Sequence, residues 1–380
     1  MNPATAPQKE ITKLNHIDLL RGVAVILVVI THVALTDLNI SEVSRSRLIF
    51  GQIGVQLFFF LSAYTLCRSM NVRREQSYIR NFYIRRLFRI APLYYTGIVL
   101  YFLLAHIPAL NLGGPLSKAE VYTPGNILLN VSFLHSFVPG AYNSIVPGGW
   151  SIGTEMLFYL MFPAIFLLYS KINNTSLLYL IPVLAFILAN IYMVATYQVV
   201  EGAVFTDHFY FAFILNQLPV FALGISYFFL ERSAPLKISP LISLAAFLSL
   251  FGVAFLLSRK LAHNINLTIF IAGISFGFLF NFFKNANVNL PLLHRIGQLS
   301  FSIYIFHFLF AYPLAYKIST MISGHLNAST VLVINFVVSL SLSAVVAMLS
   351  EKYIEKPGIN LGKKLIKSME KPSAQTLIVK

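Results

Sequence analysis

The sequence predicts an all-α fold, a polytopic transmembrane helix bundle with about ten spanning helices and both termini cytoplasmic. Three observations carry that prediction. Of 380 residues, 57% are apolar and only 11% are charged, with a mean hydropathy of +0.75, where soluble chains carry about a quarter charged. Ten apolar runs approach the ~20 residues that span a hydrocarbon core. With the N-terminus placed in the cytoplasm, 22 of the 28 Lys and Arg residues fall on that side and six on the other, as the positive-inside rule requires. The formal charge of +15 therefore reads as topology and excludes a nucleic-acid binder, which would need a polar surface for its basic groove. A single cysteine, Cys67, excludes an internal disulfide framework and a Cys-based zinc site.

The runs lie at 17–36, 49–67, 90–108, 152–170, 177–198, 209–230, 239–257, 265–283, 297–316 and 329–349. Residues 1–16 form a polar cytoplasmic extension, 17–350 the membrane domain, and 351–380 a basic cytoplasmic tail. The first run contains Arg21 and has no small-residue cleavage site after it, so it is expected to be retained as a helix. Residues 126–138 (NILLNVSFLHSFV) are too short to span and read as an interfacial or re-entrant piece of the 109–150 loop. Arg259 and Lys260 are the one pair that runs against the charge rule.

Ionisable residues inside a bilayer are costly, and each is a functional hypothesis. In the first helix, Arg21 and His32 are eleven residues apart, about three turns, so they share a face about 16 Å apart along the axis. Asp18, three residues before Arg21, is placed to pair with it. A second cluster, Arg80, Arg85, Arg86 and Arg89, opens the third helix with no lysine among them. Planar guanidinium forks suit phosphate oxygens, and topology alone would accept lysine equally. In GGWSIGTEMLFYLMFP, Trp150 suits the outer interface and Glu155 lies one turn deeper, at a depth comparable with His32. That carboxylate could orient the imidazole or hold a hydroxyl of an extracytoplasmic substrate. In LSFSIYIFHFLF, Ser300, Tyr304 and His307 follow i, i+4, i+7 spacing. Ser302 lies beside them, and helix–helix bonding is the usual role of such serines.

These motifs, in this order, resemble acyltransferase family 3, the membrane O-acyltransferases that modify cell-surface sugars. The resemblance rests on Arg21 and His32 within IDLLRGVAVILVVITHV, on RRLFRIAPLYY, WSIGTE and SFSIYIFH, and on the closing IEKP at Ile354–Pro357. One departure is Ala63, where the family's FFFLSGYTL-like pattern has glycine. The resemblance implies transfer of an acyl group, often acetyl, from cytoplasmic acyl-CoA to a carbohydrate hydroxyl across the bacterial cytoplasmic (inner) membrane. The acceptor would be lipid-linked or polymeric. It also implies that His32 is catalytic with Arg21 its essential partner, and that Arg86 and Arg89, with the neighbouring Arg85, hold the CoA phosphates. Glu155 joins the catalytic candidates, and Trp150, Ser302, Tyr304 and His307 become substrate-binding candidates. His32 would act as general base toward the sugar hydroxyl or be acylated itself, and the residues leave both open. No permanently bound cofactor and no metal is expected. Some members carry a fused extracytoplasmic SGNH-type domain, and 380 residues leave no room for one beside the bundle.

A proton- or ion-coupled transporter is the competing class, since it too buries Arg, His and Glu. Transporters favour paired Gly/Pro-broken helices in two halves, and no such symmetry is visible in the sequence. An all-arginine helix start also has no purpose in a transporter.

Overall fold

The computed structural model describes residues 14–370, apart from 38, 74–76, 108, 110–115, 117, 197–208, 234, 236, 261–264, 287, 323 and 324. Lys9, Lys13, Arg74, Lys371 and Lys380, counted above in the charge balance, lie outside the described residues. The described chain is all-α. Its helices are α1 (Asn15–Thr36), α2 (Glu42–Ile49), α3 (Gly54–Val72), α4 (Tyr78–His106), α5 (Pro124–Val131), α6 (Gly149–Ser170), α7 (Thr175–Thr196), α8 (Phe209–Ala212) and α9 (Ile214–Ser233). They continue with α10 (Pro240–Lys260), α11 (Ile265–Asn285), α12 (Pro291–Gln298), α13 (Ser300–Phe306), α14 (Phe308–Ala311), α15 (Pro313–Ile322), α16 (Ala328–Ser350) and α17 (Lys356–Met369).

Among the described residues, nine helices are long and apolar enough to cross a membrane, or ten if one bent pair counts as a single crossing. That pair is the predicted ninth helix, which is not one straight rod. It breaks into α13, α14 and α15, with a 42° bend across the step from Ala311 to Pro313. Proline has no N–H to continue the ladder and its ring crowds the preceding turn. The predicted second run is likewise composite: α2 passes through a 3₁₀ turn at Phe50–Ile53 into α3. The 126–138 segment forms the two-turn α5 and a 3₁₀ turn at Leu134–Phe137, neither long enough to span.

Close approach of α1 to its neighbours gives the bundle its centre. A Cβ added to Gly297 of α12 would lie 1.7 Å from the Asp18 carbonyl oxygen, and one on Gly54 of α3 would lie 2.3 Å from that of Ala24. Only glycine lets the backbones meet this closely, the usual device where lipid removes the hydrophobic drive between helices. The face of α1 bearing Leu20, Ala24, Val28 and Val29 is therefore fully buried. Helix α10, by contrast, is little buried, with Leu241, Ile242, Leu248 and Leu256 turned outward. Such residues face lipid.

The described part of the tail is helical over residues 351–369. A π turn at Glu351–Glu355 ends α16, and Ser302 donates to Glu355 across it. Arg295 donates to Glu351 Oε2 at 2.8 Å. Helix α17 then lies back along α4: Cβ atoms at Gly358 and Gly362 would meet Pro92 at 2.7 Å and Phe88 at 2.8 Å. Asn81 Nδ2 donates to Glu370 at 3.1 Å at its far end.

Candidate active site

The start of α1, the end of α3, the start of α4 and all of α17 come together at one end of the bundle, here called the basic end. There Arg21 Nη1 donates to Asp18 Oδ1 at 3.3 Å, and His294 Nε2 of α12 stands 3.4 Å from Asp18 Oδ2. The expected i, i+3 pair thus exists, and a third group shares the carboxylate.

Arg21 lines a cavity between α1, α3, α4, α6 and α13, together with Arg86, Arg89, Glu155, Tyr159 and Tyr304. Glu155 accepts from Ser62 Oγ at 2.6 Å and from Tyr159 OH. The Arg86 guanidinium lies 5.7 Å from the Tyr159 ring and 5.9 Å from that of Phe82. Three guanidinium groups and one carboxylate line the cavity, and with Asp18 paired to Arg21 a positive surplus still remains that suits an anion. Glu155 belongs to this arginine cavity. Sequence depth had put it level with His32, but its bonds go to Ser62 and Tyr159, because α6 winds it toward α3 and α4.

Arg86 and Arg89 also line a second basin, outside the first and between α4 and α17. Its other walls are Arg73, Arg85, Lys363 and Lys367, with Glu370 at the edge. Arg80 of the same cluster turns to Asn81 Oδ1, 3.3 Å away, and lines neither cavity.

At the opposite end of the inner cavity, Tyr304 OH meets Ser151 Oγ at 2.7 Å and donates to the Gly148 carbonyl at 3.0 Å. Gly148 has φ +73°, a left-handed turn that glycine adopts without strain and that swings its carbonyl toward the tyrosine. One turn beyond, at the α13–α14 break, His307 Nδ1–H donates to the Tyr304 carbonyl at 2.8 Å. His307 is fully buried and His32 half-buried. Their rings are 5.0 Å apart, with His307 Nε2 at 3.3 Å from His32 Nδ1. His32 Nδ1 also lies 2.9 Å from the Val28 carbonyl. Since a carbonyl can only accept, both rings carry their proton on Nδ1: His32 gives its proton to Val28 and His307 to Tyr304, and the unprotonated His307 Nε2 packs beside His32 Nδ1 as the longer, second contact. The Nε2 lone pair of His32 is what remains for chemistry.

Two other predicted residues lie elsewhere. Ser302 is fully buried, donates to Glu355 and accepts from the Ser350 hydroxyl at 2.9 Å, joining helices, while Ser300 lines the cavity in its place. Trp150 packs between Phe59 and Phe211 at ring distances of 6.2 and 5.7 Å and does not line the cavity. Among the described residues, no group of three or more His, Cys, Asp or Glu side chains is disposed to hold a metal ion.

A family model described as an acyltransferase domain, acyltransferase family 3, matches residues 14–349. The chain belongs to this family. The resemblance read from the motifs is borne out, and with it the expectation of a membrane acyltransferase. The peptidoglycan O-acetyltransferase OatA of Listeria monocytogenes is 26% identical over 367 residues, covering 90% of this chain and 55% of that protein. The chain thus spans about half the length of that curated relative. No solved structure matches the chain.

Several residues of this acyltransferase-family site carry no mark in a linear reading. Lys363 and Lys367 belong to the basin only because α17 folds back on α4. Their i, i+4 spacing, with Ile359 and Ile366 on the same face of α17, is the available signal. Ser62 is an ordinary helix residue until α3 brings it to Glu155, whereas the i, i+4 spacing of Glu155 and Tyr159 on α6 is the signal for that pair. His135 is fully buried, with Nε2 at 3.0 Å from the Gly149 carbonyl, and pins the 109–150 loop to the start of α6. Burial pushes its pKa below the ordinary 6.5.

Proposed function

We propose that this chain is an integral-membrane O-acyltransferase of the bacterial cytoplasmic membrane. It would carry an acyl group, acetyl in the simplest case, from cytoplasmic acyl-CoA to a carbohydrate hydroxyl on the other face. The basic end then faces the cytoplasm with both termini, residues 17–350 form the transfer unit and 351–380 the tail. Family membership, the O-acetyltransferase activity of the Listeria relative and the lopsided charge support this reading.

One observation carries it furthest: Arg86 and Arg89 line both the outer basin and the inner cavity, whose far wall, Tyr304, is bonded to His307 and through it to His32. A polyphosphate donor cannot enter lipid. Its phosphates would rest on Arg85, Arg86 and Arg89, with the slender thioester arm running inward past Arg21 toward Tyr304. The carbohydrate, lipid-linked or polymeric, would arrive from the opposite end. His32 Nε2 takes the proton of its hydroxyl as that oxygen attacks the thioester carbonyl. The C–S bond breaks, the acyl ester remains on the sugar oxygen, and the departing thiolate takes the proton back from His32. The imidazolium formed in between is stabilised by the Val28 carbonyl, which accepts its Nδ1–H at 2.9 Å, and by the His307 Nε2 lone pair 3.3 Å from that nitrogen. Glu155, held by Ser62 and Tyr159, keeps Arg21 and Arg86 in place within the cavity.

Purified protein in lipid nanodiscs, given radiolabelled acetyl-CoA and an oligosaccharide acceptor, tests the reading. Wild type should transfer label and His32→Ala should not. Full transfer by His32→Ala removes the catalytic assignment, and a proton-driven flux without any transfer would favour the transporter class.

A further inference from the structure

The outer basin contains more cation than a pyrophosphate needs, and part of it comes from the tail. Arg86 and Arg89 stand at the junction of the two cavities, and Arg73 and Arg85 continue outward on the α3–α4 side. The facing wall is Lys363 and Lys367, one turn apart on α17, both exposed to the basin. Their position is built and not incidental. Gly358 and Gly362 bring α17 against Pro92 and Phe88, Glu351 and Glu355 are tied to Arg295 and Ser302, and Asn81 holds Glu370. The ties come from three helices, α4, α12 and α13, and hold the tail helix at both ends.

We infer that α17 is the half of the donor site that reads the 3′-phosphate of coenzyme A, through Lys363 and Lys367. This rests on the donor reading given above. The arm that bears the thioester leaves from the pyrophosphate, so the pyrophosphate must sit where the basin opens into the inner cavity, at Arg86 and Arg89. The ribose and its 3′-phosphate then lie farther out, beyond reach of the inner arginines and against the α17 wall. A phosphate monoester carries about −1.5 to −2 charges at neutral pH, and two ammonium groups one helical turn apart match it. Lysine serves here because a rotating monoester needs point charges more than a bidentate fork. The tail helix thereby makes the enzyme select free coenzyme A thioesters over carriers that present pantetheine on a single phosphodiester.

The test compares binding of CoA and of 3′-dephospho-CoA, by calorimetry on the full chain in nanodiscs, for wild type, Lys363→Gln/Lys367→Gln and Arg86→Gln/Arg89→Gln. For exposed ion pairs, the lysine variant should weaken CoA about three- to tenfold and leave 3′-dephospho-CoA unchanged. It should also raise the donor KM without lowering kcat, and Lys363→Arg/Lys367→Arg should restore most of the loss. An equal loss for both ligands, or CoA binding like wild type while the arginine variant is impaired, overturns the role of α17 and leaves the donor reading intact. Absence of CoA binding to wild type overturns both.

Discussion

Replacing His307 probes whether the two imidazoles act together. His307→Leu keeps a side chain of similar bulk in a fully buried position and removes both ring nitrogens. The lost interaction is the contact of the His307 Nε2 lone pair with His32 Nδ1, 3.3 Å away and secondary to the 2.9 Å bond that His32 Nδ1–H makes to the Val28 carbonyl. It matters most when His32 has taken the hydroxyl proton, because the donor is then charged. Hydrogen bonds to charged groups contribute about 1.5–3 kcal/mol. A 3.3 Å contact sits at the weak end of that range, so about 1.5–2 kcal/mol is expected. At about 1.4 kcal/mol per decade, that is a 10- to 30-fold fall in kcat. His307 does not line the donor cavity, so the KM for acetyl-CoA should stay within about twofold. His307→Gln, which returns a carbonyl oxygen as acceptor, should recover part of the rate. Steady-state transfer of radiolabel to an acceptor oligosaccharide in nanodiscs measures both constants. A wild-type kcat in His307→Leu, or a loss confined to KM, refutes the paired-imidazole mechanism.

Gly297→Ala should destabilise the bundle by about 1–3 kcal/mol or more, because its Cβ would overlap the Asp18 carbonyl. Detergent-solubilised variant should melt at lower temperature, and an unchanged melting curve would show that α1 and α12 can separate freely. His135 predicts a pH effect. Its folded pKa lies below the unfolded 6.5, so the unfolded chain binds the extra proton and stability is lost as pH falls below that value. His135→Asn should flatten the decline in melting temperature between about pH 7 and pH 5; an equally steep decline in the variant would assign it to other groups.

Much of the fold was legible because lipid imposes a simple rule on sequence. Each crossing must be a long apolar helix, and each buried charge must earn its place, so Arg21, His32, Glu155 and the 80–89 arginines stood out against a sparse background. The ninth helix was legible as a crossing but not as a bent one. Pro313 marked the place, yet whether a proline kinks or is absorbed depends on the helices packed around it. Glu155 shows a second limit: counting turns fixes its depth and its i, i+4 partner Tyr159, while its meeting with Ser62 comes from how α6 packs on α3. Ser302 and Ser300 differ by two positions, which on a helix is more than half a turn, and only packing tells which of them faces the cavity.

By itself the sequence determined the class, the family motifs, the one-sided charge and the shared face of Arg21 and His32, all of them consequences of helical periodicity and of the cost of charge in lipid. Tertiary structure alone decided that His307 meets His32, that Arg86 and Arg89 join two cavities, and that the tail supplies the second wall of the basin. Those are contacts between residues far apart in the chain, and they exist because glycines on α3, α12 and α17 let backbones approach at particular places.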